Sequence, residues 1–166
     1  FRQDIPIGAT VMRSSTVRSI VRKTTASGPM AVVTLSHELS IASQPQPAVA
    51  ETQTYLLLPH RPADGSAPEA APAPAPVRAA HIKTVVPDET LLFQYSALGF
   101  NSHRIHLDRE HARNVEGFPD LVVNGGLSTL LLTEFLRQDL GVTPAVIAVR
   151  HRAPLYCNRA VTLAAD

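Results

Sequence analysis

Hydrophobic and polar positions alternate through the first third of the chain. VMRSSTVRSIVRKT (11–24) sets β-branched residues against polar ones with a period of two, the pattern of a half-buried strand. TASGP follows as a turn, with Gly28 ahead of Pro29 as a local breaker. MAVVTLSHELSIA (30–42) and AVAETQTYLLL (48–58) repeat the strand pattern. Three long strands joined by short turns predict an antiparallel meander without a helix.

The pattern changes after a gap. Residues 59–80, PHRPADGSAPEAAPAPAPVRAA, are rich in Pro and Ala and nearly empty of large apolar residues, as in a semi-rigid extended linker. This segment divides the chain into parts 1–58 and 81–166. In the second part IKTVVPD is a short strand or entry segment, with Asp88 placed to cap a helix. ETLLFQYSALG (89–99) spaces Leu91, Leu92, Tyr95 and Leu98 helically and stops at Gly99. REHARNVEG (109–117) predicts a short polar helix ended by Gly117. LSTLLLTEFLRQDLG (127–141) is apolar almost all round, which predicts a buried helix. PAVIAVRHRAPLYCNRAVTLAA is strand material interrupted by Pro154, implying an edge or a bulge. The resulting class is α+β: a curved antiparallel sheet wrapped around one long buried helix.

Composition narrows this picture. With 45% hydrophobic and 17% charged residues in a chain of 166, the protein is globular rather than disordered. A net charge of +1 gives no electrostatic ground for a nucleic-acid or anionic-membrane partner. No apolar run reaches the roughly 18 residues of a membrane span. Cys157 has no second cysteine in the chain to pair with, so no intramolecular disulfide can form; a reducing, cytoplasmic setting is expected. FRQDIPIGATV has neither an initiator Met nor a signal-peptide pattern, so the 166 residues are expected to belong to a longer chain.

Three features carry candidate chemistry. FNSHRIHLD (100–108) holds His103 and His106, with Asn101 ahead and Asp108 behind. An imidazole is the usual acid/base at cellular pH, and an amide can hold the water or carbonyl on which it works. A loop histidine bonded to backbone is the plainer alternative. His103, His106, Asp108 and His111 also have ligand chemistry, but they lack the i, i+4 histidine pair, a cysteine cluster or HExxH, so no metal is expected. Next, VVNGGLST (122–129) leads into the apolar helix. Unpaired amides at a helix start carry partial positive charge, and Gly125 and Gly126 would let an anionic oxygen approach them; a simple Asn-capped turn is the alternative. Finally, Cys157 suits a buried inert thiol, Thr133 a back-bonded helix hydroxyl, and Arg150, Arg152 and Arg159 either phosphate contacts or a solvated sheet face.

The order of these features supplies more than each alone. QYSALGFNSHRIHLDREHARNVEGFPDLVVNGGLSTLLL resembles the hydratase signature of the MaoC-like hot-dog superfamily, in which an ALSxDxNPxHxD loop precedes a V-x-G-x-L turn entering the central helix. It resembles in particular the double-hot-dog branch of mesaconyl-C4-CoA (3-methylfumaryl-CoA) hydratases and 3-hydroxyacyl-thioester dehydratases. The match is dense over residues 94–133, and RKTTASGPMAVVTLSHELS is similar to a strand-turn-strand of that branch's N-terminal half.

The resemblance implies two hot dogs in one chain: a degenerate portion at 1–58, strands only, and a site-bearing portion at 81–166. It implies reversible hydration of a 2-enoyl thioester to a 3-hydroxyacyl thioester, with CoA or a carrier as part of the substrate and no cofactor. By position, His106 matches the catalytic histidine and Asn101 the place of an aspartate. Gly125 and Gly126 match the turn that polarises the thioester carbonyl, and Thr133 a supporting hydroxyl. Because an amide cannot accept a proton as a carboxylate does, His106 becomes the main base, with Asp108 or Glu116 to supply the missing charge. By analogy a homodimer is expected. Two other functions stay open: a hot-dog thioesterase, for which Glu134 would be the carboxylate, and a non-catalytic acyl-thioester-binding subunit.

Overall fold

The computed structural model describes residues 1–25, 28–42, 44–58 and 77–166. Ala26 and Ser27 of the predicted TASGP turn and residues 59–76 of the predicted linker therefore lie outside the described residues. The chain divides into two compact units, Phe1–His60 with Pro144–Ile147, and Arg61–Thr143 with Ala148–Asp166.

The first unit is the predicted meander. β1 (Val11–Thr25), β2 (Gly28–Ile41) and β3 (Val49–Leu57) form a three-stranded antiparallel sheet in sequence order. The β1–β2 register shifts between Val17 and Ser19, a bulge that leaves Arg18 outside the ladder. β1 is exposed along its whole length, whereas β2, paired on both sides, is mostly half-buried. His37 on β2 is buried, with Nδ1 2.8 Å from Ser15 Oγ and 3.3 Å from Arg13 Nη2 across the ladder.

The second unit holds helices and a small sheet. β4 (His81–Val85) pairs antiparallel with β5 (Val161–Ala165). α1 (Glu89–Leu98) starts as predicted: the Asp88 carboxylate accepts from the Leu91 amide at 2.8 Å. It ends at Gly99, but the left-handed residue is the following Phe100 (φ 49), exposed to solvent. A 3-10 turn (Arg104–His106) leads to α2 (Arg109–Asn114), capped by Asp108 through the His111 amide at 2.9 Å. α3 (Gly125–Asp139) begins two residues earlier than the apolar pattern, because both glycines join its first turn.

Two expectations are corrected. α3 is buried on one face rather than all round: Leu127 and Phe135 are inside, but Leu130 and Leu132 are 47% and 37% exposed. Its packing partners in this unit, Leu92, Leu121, Val123 and Cys157 with Leu91, Tyr95 and Leu155 beside them, surround the Leu127 side. Residues 144–165 form a single strand only at the end, β5; upstream there is one isolated bridge, Tyr156 to Val122. Pro144 and Pro154 have no N–H to give a ladder, so strand-like composition there does not become a sheet. A second cluster, Ile105, Ala112 and Val122 with Phe118 and Tyr156, fixes the loop of interest from below.

Candidate active site

FNSHRIHLD leaves α1 through hydrogen bonds made by its own residues. The Asn101 amide donates to Ser96 O at 2.8 Å, and Asn101 Oδ1 accepts from the His103 amide at 3.1 Å, an Asx-type turn that redirects the chain. Ile105 is the apolar anchor of the loop. Its carbonyl accepts from Val122 N at 2.9 Å, tying the loop to the segment that leads into α3.

His106, the next residue, is buried, and its Nδ1 lies 2.7 Å from Val122 O. A carbonyl only accepts, so Nδ1 carries the proton and donates, which leaves the Nε2 lone pair as the basic site. Burial pushes the imidazole below its ordinary 6.5; the Val122 bond opposes this, and His103 adds a smaller push downward. The His103 ring stands edge-on to it, with centroids 5.6 Å apart. Burial therefore favours the neutral form of the His106 imidazole.

A cavity of about 550 Å³ brings His106 together with Gly125 and Ser128 of α3, Val122, Val123 and the segment Val149–Leu155. That volume suits a small-molecule site. Gly125 faces it, and a Cβ there would lie 3.4 Å from His151 Nε2. Gly126 is held differently: a Cβ there would run into the Tyr95 hydroxyl oxygen, so any larger residue requires the Tyr95 side chain of α1 to shift. Arg150, His151 and Arg152 line the cavity without any carboxylate among its lining residues, and neither arginine makes an ion pair among the described residues.

The remaining predicted residues are placed elsewhere. Asn101 lines a separate cavity of about 290 Å³ with Phe93, Ser96 and Phe100, not the one holding His106. Asp108 is occupied as the α2 cap and as partner of Arg104 Nη2 at 2.6 Å; the His111 amide, then Arg104, hold its carboxyl below the usual range. Glu116 lies 3.5 Å from His111 Nε2. Thr133 Oγ1 donates to Thr129 O at 2.8 Å, the back-bonded hydroxyl that its place inside a helix suggests. Cys157 is buried and free, and burial pushes its thiol up, as for an inert side chain. Glu134 is bonded to Arg137 at 2.8 Å on an exposed face of α3.

Sequence reasoning misses two residues. His151 belongs to a strand-like run and has no motif to mark it. Asn124 reads from the sequence only as a possible cap, yet it is 1% exposed and donates from Nδ2 to Ser96 Oγ at 3.2 Å.

Loop, turn and helix in this order belong to an α+β hot-dog fold, and comparison with known proteins gives the family. The chain belongs to the hydroxyacyl-thioester dehydratase type 2 family, whose model matches residues 1–157. It is 38% identical over 159 residues to the mesaconyl-C(4)-CoA hydratase of Chloroflexus aurantiacus, covering 94% of this chain and 54% of that protein. The mitochondrial hydroxyacyl-thioester dehydratase type 2 of Saccharomyces cerevisiae is 30% identical over 69 residues, covering 42% of this chain and 25% of that one. The chain thus spans about half the length, or less, of these curated relatives. Among solved structures, the peroxisomal multifunctional enzyme type 2 of Drosophila melanogaster superposes with a TM-score of 0.65 at 23% identity, over 96% of this chain and 29% of that one. HtdX of Mycobacterium tuberculosis gives 0.64 at 18% identity, over 92% and 57%. At these identities the two structures establish the shared fold.

Proposed function

We propose that this chain carries the acid/base site of a hydro-lyase that reversibly adds water across the C2–C3 bond of a 2-enoyl thioester. The observation that carries the reading is the shared cavity: the buried His106, with its Nε2 lone pair free of the Val122 bond, opens onto the same space as Gly125 at the start of α3. In the hydration direction Nε2 takes a proton from water as the oxygen bonds to C3. Electron density moves through C2 onto the thioester oxygen, where the first amides of α3 stabilise the enolate charge. Return of a proton to C2 completes the addition of one water. The substrate is an acyl-CoA or acyl-carrier thioester, and the relative named for mesaconyl-C(4)-CoA supports CoA. Arg150 and Arg152 give the cavity positive charge suited to an anionic substrate.

No cofactor is needed, because the thioester itself supplies the electron sink. The strands of 1–58 are read as a degenerate hot-dog portion, with 81–166 bearing the site; a homodimer in a reducing cytoplasm completes the proposal. A thioesterase is the weaker reading, since Glu134 is paired with Arg137 and is absent from the cavity lining. Incubation with crotonyl-CoA and mesaconyl-CoA, followed by mass spectrometry, tests the choice. A product heavier by one water is expected. Free CoA would point to a thioesterase, and unchanged substrate to a binding subunit.

A further inference from the structure

Asn124 stands at the N-cap position of α3, where an asparagine side chain ordinarily accepts from the amides of the first turn. Here it makes no such bond. The side chain turns away and gives its Nδ2 proton to Ser96 Oγ, while its Oδ1 is buried without a hydrogen-bond partner among the described residues. Forgoing a cap and burying an unpaired oxygen both cost stability. Gain elsewhere must offset them.

That gain lies in what Ser96 holds. Its own carbonyl accepts the Asn101 amide, the first bond of the loop that ends at His106. The other end of the loop is tied to the same pre-helix segment by Val122 N to Ile105 O and by His106 Nδ1 to Val122 O. The loop is thus fastened to the α3 entry at both ends: through the backbone at Val122, and through one side-chain bond at Asn124. With Asn124 turned toward Ser96, its own side chain takes none of the first amides of α3.

We propose that Asn124 is a positioning residue that holds the His106 loop in register with the start of α3 while leaving the first amides of that helix free for the thioester oxygen. This rests on the hydratase reading above. Asn124→Ala and Ser96→Ala should each lower kcat for enoyl-CoA hydration at least tenfold with KM within about twofold, and the double variant should be no worse than the poorer single one. Asn124→Asp, which has no amide proton to give Ser96 Oγ, should also lose turnover in the folded protein. A purely structural residue would instead lower stability and leave kcat per folded molecule unchanged, and that result would overturn the proposal.

A second readout does not depend on turnover. Neither Asn124 nor Ser96 makes a described hydrogen bond to His106, yet both alanine variants should shift the His106 ring resonances in NMR spectra. Unmoved resonances in folded variants would overturn the positioning role even if the wild-type protein hydrates nothing. Absence of wild-type turnover with shifted resonances would overturn the hydratase reading alone.

Discussion

The two units reach order by different routes. The first is a ladder: β1 is exposed throughout, Val17, Ile20 and Val21 among its solvent-facing side chains, and its buried residues are few, His37, Ile41 and Ala48. The second is packed: Leu92, Leu121, Val123, Leu127 and Cys157 make one buried cluster, and Ile105, Ala112 and Val122 another. Backbone pairing tolerates change in side chains, whereas a packed cluster registers the loss of a methyl group. An acid/base imidazole needs fixed geometry, and His106, the residue proposed for that role, lies on the packed unit.

Substitution sharpens the contrast. Leu127→Ala should cost about 2–5 kcal/mol of stability, through lost burial and the cavity left behind. Ile20→Ala, on the exposed strand, should stay within about 0.5 kcal/mol. Chemical denaturation of both variants measures the difference, and equal losses would break the comparison.

Acid supplies a smaller effect, again confined to the second unit. Burial raises the Asp120 carboxyl, but Arg109 at 2.8 Å, the Leu121 amide and Arg113 outweigh it and leave it below its ordinary value of 3.8. The native state then binds fewer protons than the unfolded chain in that window. Its stabilisation is present above pH 3.8 and lost as pH falls through the lower native value. Asp120→Asn should therefore lower stability near neutrality and flatten the acid limb of the stability curve, measured by thermal melts across pH. A parallel acid limb in the variant would contradict this.

Smallest of all should be Asp108→Asn and Thr133→Val. The first keeps a capping oxygen for α2, and the second loses only a bond back to Thr129 within the helix. Turnover within about twofold of wild type is expected for each, because neither lines the His106 cavity. A loss of tenfold or more in steady-state assays would return them to the site.

Much of this was legible in the sequence because local rules decided it. Period-two alternation marked β1 to β3, Asp88 marked the start of α1, and the order of FNSHRIH and VVNGG marked the family. The misses came where tertiary surroundings decided. An apolar run such as LSTLLL carries no sign of which face its neighbours will cover, so Leu130 and Leu132 looked buried and are not. VIAVRHRAPL has strand composition but finds no ladder partner among the described residues, and it contributes Arg150, His151 and Arg152 to the cavity instead. Asn124 looked like a cap, and only the position of Ser96, distant in sequence, shows where its amide turns.

The central claim is that His106 moves the proton. Replacement by alanine leaves Gly125 and the rest of the cavity lining in place and removes only the base. Hydration of a short enoyl-CoA by a folded His106→Ala variant should fall by about 10²–10⁴. In the wild type the acid limb of kcat/KM should have its midpoint below 6.5, because burial lowers the imidazole and it must be neutral to act. Near-wild-type turnover in that folded variant would contradict the account.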